Sequence, residues 1–193
     1  MAKKKYEFKP DPAGSGTLSK LYLTRKQRQS VLKWALYGLL CLAALILQDV
    51  ILSELSLLGT TTDLVSAVIL LICLLQGAET GGVFALVSSA VFLFSGSAPG
   101  PYSIVFLTVY GVLTAIFRQA FLRKGFGSMA LCTAGSLLLY ELSVYAMALF
   151  LGHTVAGYIG RFLMTWLLTL VAIPVLYPVL ASIGKIGGET WKE

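Results

Sequence analysis

Apolar residues fall into six runs separated by short polar breaks, at about 31–53, 62–76, 82–96, 102–122, 127–151 and 157–182. A helix needs roughly 20 mostly apolar residues to cross a hydrocarbon layer about 30 Å thick. The pattern therefore predicts an all-α integral membrane protein with six transmembrane helices. The second and third runs are short for full crossings. Only Gly77-Ala78-Glu79-Thr80-Gly81 separates them, which predicts a tight helical hairpin or a tilted, partly re-entrant pair. Before the first run, Met1 to Ser30 is polar and includes Pro10, Pro12 and Ala13-Gly14-Ser15-Gly16. This reads as a flexible tail, too long to be the leading segment of a cleaved signal peptide. The expected organisation is a basic cytoplasmic tail over 1–30, a six-helix domain over 31–184 and a short cytoplasmic tail over 185–193.

Charge supplies the orientation. With a cytoplasmic amino terminus and six crossings, fourteen of the fifteen Lys and Arg residues lie inside and only Arg161 lies outside. Removing one crossing before residue 118 would move Arg118, Arg123 and Lys124 to the far side, against the positive-inside tendency. Both termini are expected in the cytoplasm. Lys3, Lys4, Lys5, Arg25, Lys26 and Arg28 form a cationic surface for anionic lipid.

Composition agrees with this reading. Hydrophobic residues make up 57% of the chain and charged residues 12%, with a mean hydropathy of +0.83. A soluble globule, for which about half and a quarter are usual, is excluded. The formal charge of +6 speaks to topology and lipid rather than nucleic acid. Cys41, Cys73 and Cys132 each lie in an apolar run and read as small core residues. His153, the only histidine, stands near a turn, so neither a metal nor a cofactor is expected.

Inside the runs, Gly81, Ala85 and Ser89 recur every four residues, as do Gly111 and Ala115. Such stripes let helix backbones approach closely, here chiefly within the chain. Pro174 and Pro178 are expected to kink the last helix. Three acids lie in or beside apolar runs, where ionisable groups are costly. Asp49 is expected to reach interfacial water, and Asp63, or one of Thr60 to Thr62, to cap the second helix. Glu141 sits mid-run and must face protein. At helical spacing it shares a face with Ala134, Leu138, Tyr145 and Ala148, with Tyr110, Thr108, Arg118 or another subunit as candidate partner. Internal contact and an interface or ligand role stand equal for it. No converging catalytic groups, phosphate loop or dinucleotide fingerprint is present, and no enzymatic activity is expected.

The order of features resembles the rod-shape-determining protein MreD family over roughly residues 33–185. The resemblance rests on Leu47-Gln48, on Leu58-Gly59 through Thr62-Asp63-Leu64, on Gly77 and Gly81-Gly82, and on Phe94-Ser95-Gly96-Ser97-Ala98-Pro99-Gly100. It continues in Arg123-Lys124, the acid of the fifth run and Pro174-Val175-Leu176-Tyr177-Pro178. The sequence departs from the family pattern at Phe92, where many members carry Asp, at Ser88 for Gly and at Thr62 for Pro.

The resemblance implies a six-helix fold similar to the S-components of energy-coupling-factor vitamin transporters. It also implies a noncatalytic role as a scaffold of bacterial cell elongation. The implied partner is MreC, and through it MreB, RodA and a class B penicillin-binding protein, with small-residue faces docking partner helices. The alternative is a vitamin-binding S-component. That reading requires hydrogen-bonding groups to converge in an outer cavity from the 54–62 and 95–101 loops and from Arg161, where the loops offer mostly Gly, Ser, Thr and Pro.

Overall fold

The structure is a computed structural model that describes residues 25–52, 60–121 and 125–186. Its elements are α1 (Arg25–Ile46), continued by a π-helical segment (Leu47–Leu52), then α2 (Leu64–Gln76), α3 (Ala78–Phe94), α4 (Tyr102–Phe121), α5 (Phe126–Phe150) and α6 (Ile159–Gly184). A single 3-10 turn, Ala156–Tyr158, precedes α6. All regular helical and strand elements among the described residues are helices. Four segments are long and apolar enough to cross a membrane: Gln27–Val50, Tyr102–Ala120, Phe126–Phe150 and Ala156–Gly184. The other two helices are apolar but shorter, with 13 residues in α2 and 17 in α3.

The shortness of α2 follows from its place. Its sequence, Leu-Val-Ser-Ala-Val-Ile-Leu-Leu-Ile-Cys-Leu-Leu-Gln, is apolar on every face, the pattern of a helix surrounded by protein. Every residue except Leu75 is buried, and α1, α3, α4, α5 and α6 all pack against it. At 1.5 Å per residue it is about 20 Å long, short of the roughly 30 Å hydrocarbon layer. The surrounding helices turn large apolar side chains outward instead, such as Val83, Val87 and Phe94 on α3 and Val171 and Val175 on α6. That is how a bundle looks when its outer solvent is lipid.

Sequence and structure differ at several boundaries. The helix of the first run begins at Arg25, inside the stretch expected to be tail. The five-residue break between the second and third runs shrinks to Gly77, whose φ of 93° makes the reversal, and α3 restarts at Ala78. The hairpin is tight because Gly81 lets the helices touch: a Cβ there would stand 2.7 Å from the Cys73 Cα. Both prolines lie inside α6, which continues through them to Gly184.

Candidate functional site

A helix that ends inside a bundle leaves backbone groups that water cannot reach, and each must find a partner. At the α2 N-terminus, Asp63 accepts from the Ser66 amide at 3.1 Å and from the Ser66 hydroxyl at 2.5 Å. Gln48, beyond the end of α1, accepts from the Val65 amide at 3.1 Å, and Thr169 of α6 accepts from the Asp63 amide at 2.9 Å. At the other end, Arg118 of α4 donates to the Leu74 carbonyl, the Gly77 amide to the Cys73 carbonyl, and Thr80 to the Gln76 carbonyl. Lys33 donates to the Gln76 side chain at 2.9 Å, which in turn donates to the Tyr37 hydroxyl at 2.7 Å. Tyr37 then donates to the Leu180 carbonyl. The acid thus stands at the positive end of the α2 dipole and two buried cations at its negative end, each on the favourable side.

Near the α2 N-terminus lies a second polar group. Glu141 and Tyr140 of α5 are both buried, and Glu141 is close enough to Asp63 to interact electrostatically. Tyr140 lies near both acids and the Ser66 side chain, and the buried Thr62 hydroxyl has no hydrogen-bond partner among the described residues. Of the residues expected on the face of Glu141, Ala148 is buried with it, whereas Ala134, Leu138 and Tyr145 are partly exposed. Its buried neighbours along α5 are Thr133, Leu137, Tyr140, Val144 and Ala148. The candidate partners are engaged elsewhere: Tyr110 with Ser143 at 2.5 Å, Thr108 with the Ile104 carbonyl and Arg118 with α2. Tyr145 is separate as well, its hydroxyl donating to the Ala156 carbonyl at 3.0 Å and its ring packing on Phe162.

The Gly81, Ala85 and Ser89 stripe is consumed within the chain. All three are buried, Gly81 against α2, while a Cβ on Gly111 would stand 2.8 Å from the Cys73 sulfur and 3.8 Å from Ala85. The stripe is thus occupied by packing within the chain, against α2 and α4. Cys41 and Cys73 are buried, and Cys132 is only partly so. Asp49 accepts from the Ser97 hydroxyl at 2.6 Å in an exposed setting. Lys3, Lys4 and Lys5 lie outside the described residues; Arg25 and Lys26 open α1, and Arg28 is exposed on it.

Among the described residues, the concave surfaces large enough to seat a ligand or a helix side chain include these two. The first is an apolar groove of about 490 Å³ between α4 and α5. Its α5 wall carries Ser128, Cys132, Gly135 and Ser136, and its α4 wall Tyr110, Leu113, Thr114 and Phe117. The second is a cavity of about 510 Å³ at the end of the bundle where α2 begins. Thr60 and Thr61 reach it from the chain before α2, and Tyr102 from the start of α4. His153, Thr154, Tyr158, Arg161 and Thr165 reach it from the α5–α6 connection and α6, over an apolar floor of Val144, Ala148 and Phe162. Local structure places His153: α5 ends in a Schellman turn, with Gly152 at φ 73°, the His153 amide on the Ala148 carbonyl at 2.8 Å and the Gly152 amide on the Leu149 carbonyl.

The capping residues Gln48, Gln76, Arg118 and Thr169 and the α5 groove residues were not singled out as candidate sites from the sequence. The signal was present as lone polar residues within apolar runs, and as the four-residue spacing Ser128, Cys132, Ser136. No protein-family model, curated protein or solved structure matches the chain.

Proposed function

We propose that this protein is a noncatalytic membrane scaffold of the bacterial cell-elongation machinery, of the MreD kind, that binds MreC and through it MreB, RodA and a class B penicillin-binding protein. Both termini face the cytoplasm, and the basic amino-terminal stretch rests against anionic lipid. The observation that supports a docking role is the α4–α5 groove. A Cβ at Gly135 meets nothing within 4 Å, so the small-residue wall is open, and a membrane helix seated there would pack closely with its neighbours. The Ser128, Thr114 and Ser136 hydroxyls beside it add polar contacts for that helix. The occupant we assign to the groove is the membrane segment of MreC.

Affinity purification of the tagged chain in mild detergent, after co-expression with MreC, tests this reading. MreC should copurify with the parent chain and be lost with Gly135→Phe, while thermal unfolding of the variant stays close to the parent. Equal recovery of MreC with both chains refutes the groove, and no recovery with either refutes the scaffold.

The polar cavity favours a second reading, a vitamin-binding S-component. Its hydrogen-bonding groups converge from the chain before α2, from α4 and from Arg161, where such a component would need them. Copurification of an energy-coupling module with a stoichiometric small molecule would select this reading over the scaffold.

A further inference from the structure

The cavity beside Arg161 has a chemistry that neither reading specifies. Among the described residues, Arg161 is the one Lys or Arg at the end of the bundle where α2 begins; Lys33, Arg118 and Lys185 stand at the opposite end. Its guanidinium lies over the Tyr158 ring, 4.4 Å from the centroid, and no described hydrogen bond or ion pair engages it. A ring contact of this kind holds a cation in place and leaves its edge donors free. Thr61, Thr154 and Thr165 bring hydroxyls to the same space, and no carboxylate among the described residues lines it.

The remainder of the lining is apolar. Val144, Ala148 and Phe162 form the floor, and the volume of about 510 Å³ lies within the range of small-molecule sites, roughly 300–1,000 Å³. Glu141, one helical turn from Val144 on α5, is buried beside Asp63.

We infer that this cavity binds a small organic anion, a phosphate or carboxylate on an apolar body, with the charged group on Arg161 and the body over Val144 and Ala148. The inference concerns ligand class and stands apart from the scaffold reading, because its test needs no partner protein. Two sources present this chemistry: the headgroup region of an anionic phospholipid and a soluble amphiphilic metabolite.

The probe is dihexanoyl phosphatidate below its micelle concentration, titrated onto the full chain in nanodiscs of zwitterionic phosphatidylcholine, with dihexanoyl phosphatidylcholine as the matched control. Saturable one-to-one binding of the phosphatidate is expected. Arg161→Gln should weaken it at least about tenfold, the usual consequence of losing a charge-assisted hydrogen bond. Arg161 is exposed, so this variant should unfold at the temperature of the parent. Repeating the titration in nanodiscs containing phosphatidylglycerol identifies the source. Competition that abolishes probe binding points to a membrane lipid, and undiminished binding points to a soluble anion. Equal affinity for the two short-chain lipids, or no change with Arg161→Gln, overturns the inference.

Discussion

Arg118→Leu tests how the short central helix is held. In the parent, Arg118 is only 6% exposed and donates to the Leu74 carbonyl, a backbone group of the last turn of α2. Replacing it removes a charge-assisted hydrogen bond, worth about 1.5–3 kcal/mol. It also removes a cation at a helix C-terminus, worth about 0.3–1 kcal/mol. Leucine regains some stability because the charge no longer has to be desolvated. The expected net loss is about 2–3 kcal/mol. For a chain of 193 residues, with about 2–4 °C of midpoint shift per kcal/mol, the unfolding midpoint should fall by about 4–12 °C. The assay is thermal unfolding of the purified protein in one detergent, followed by intrinsic fluorescence. Arg28→Leu, which changes an exposed cation of α1, is the control and should leave the midpoint within about 1 °C, because surface substitutions seldom exceed about 0.5 kcal/mol. Equal midpoints for Arg118→Leu and the control would refute the view that side chains from neighbouring helices cap α2.

Gly81→Ala should destabilise the protein by about 1–3 kcal/mol in the same assay, because the new Cβ meets backbone at 2.7 Å and the α2–α3 hairpin must open. Gly135→Ala, with nothing within 4 Å, should be neutral or raise stability by up to about 1 kcal/mol through helix propensity; a loss comparable to that of Gly81→Ala would show that the groove is closed. Asp63→Ala should cost about 1–2 kcal/mol by removing the cap of α2, and Asp63→Asn, which can still accept from the Ser66 amide, should recover most of it. Glu141→Gln removes one of two neighbouring buried carboxyl groups for which no described ion pair exists, so stability should hold or rise; a drop of more than about 1 kcal/mol would reveal a stabilising bond to the carboxylate.

Much of the bundle was legible in the pattern of apolar runs. An apolar run of about 20 residues has few stable environments besides a membrane, and the four long helices lie where the first, fourth, fifth and sixth runs predict them. The Gly-containing break between the second and third runs foretold a sharp reversal, because only a residue without Cβ readily adopts the φ of 93° found at Gly77. Small residues every four positions foretold close helix contact. Their partners stayed hidden, since the same spacing serves a neighbour in the chain or a foreign helix.

Only the tertiary structure placed α2 at the centre. An all-apolar segment of 13 residues reads alike as a tilted crossing or a buried core helix, and what decides is whether five other helices surround it. Once it is buried, its ends need partners, and this gave Gln48, Arg118 and Thr169 their roles: lone polar residues in apolar runs mark that such groups need partners, but not which partners they find. Glu141 shows the same limit. The sequence required it to face protein, because a carboxyl group in lipid is too costly, but its neighbour Asp63 lies 78 positions away and depends on how α2 and α5 pack. The cavity likewise draws Thr60, Tyr102, His153 and Arg161 from four separate stretches of chain. Periodicity fixes which side of a helix is apolar, whereas the meeting of distant polar groups depends on helix order and packing, which a one-dimensional pattern does not encode.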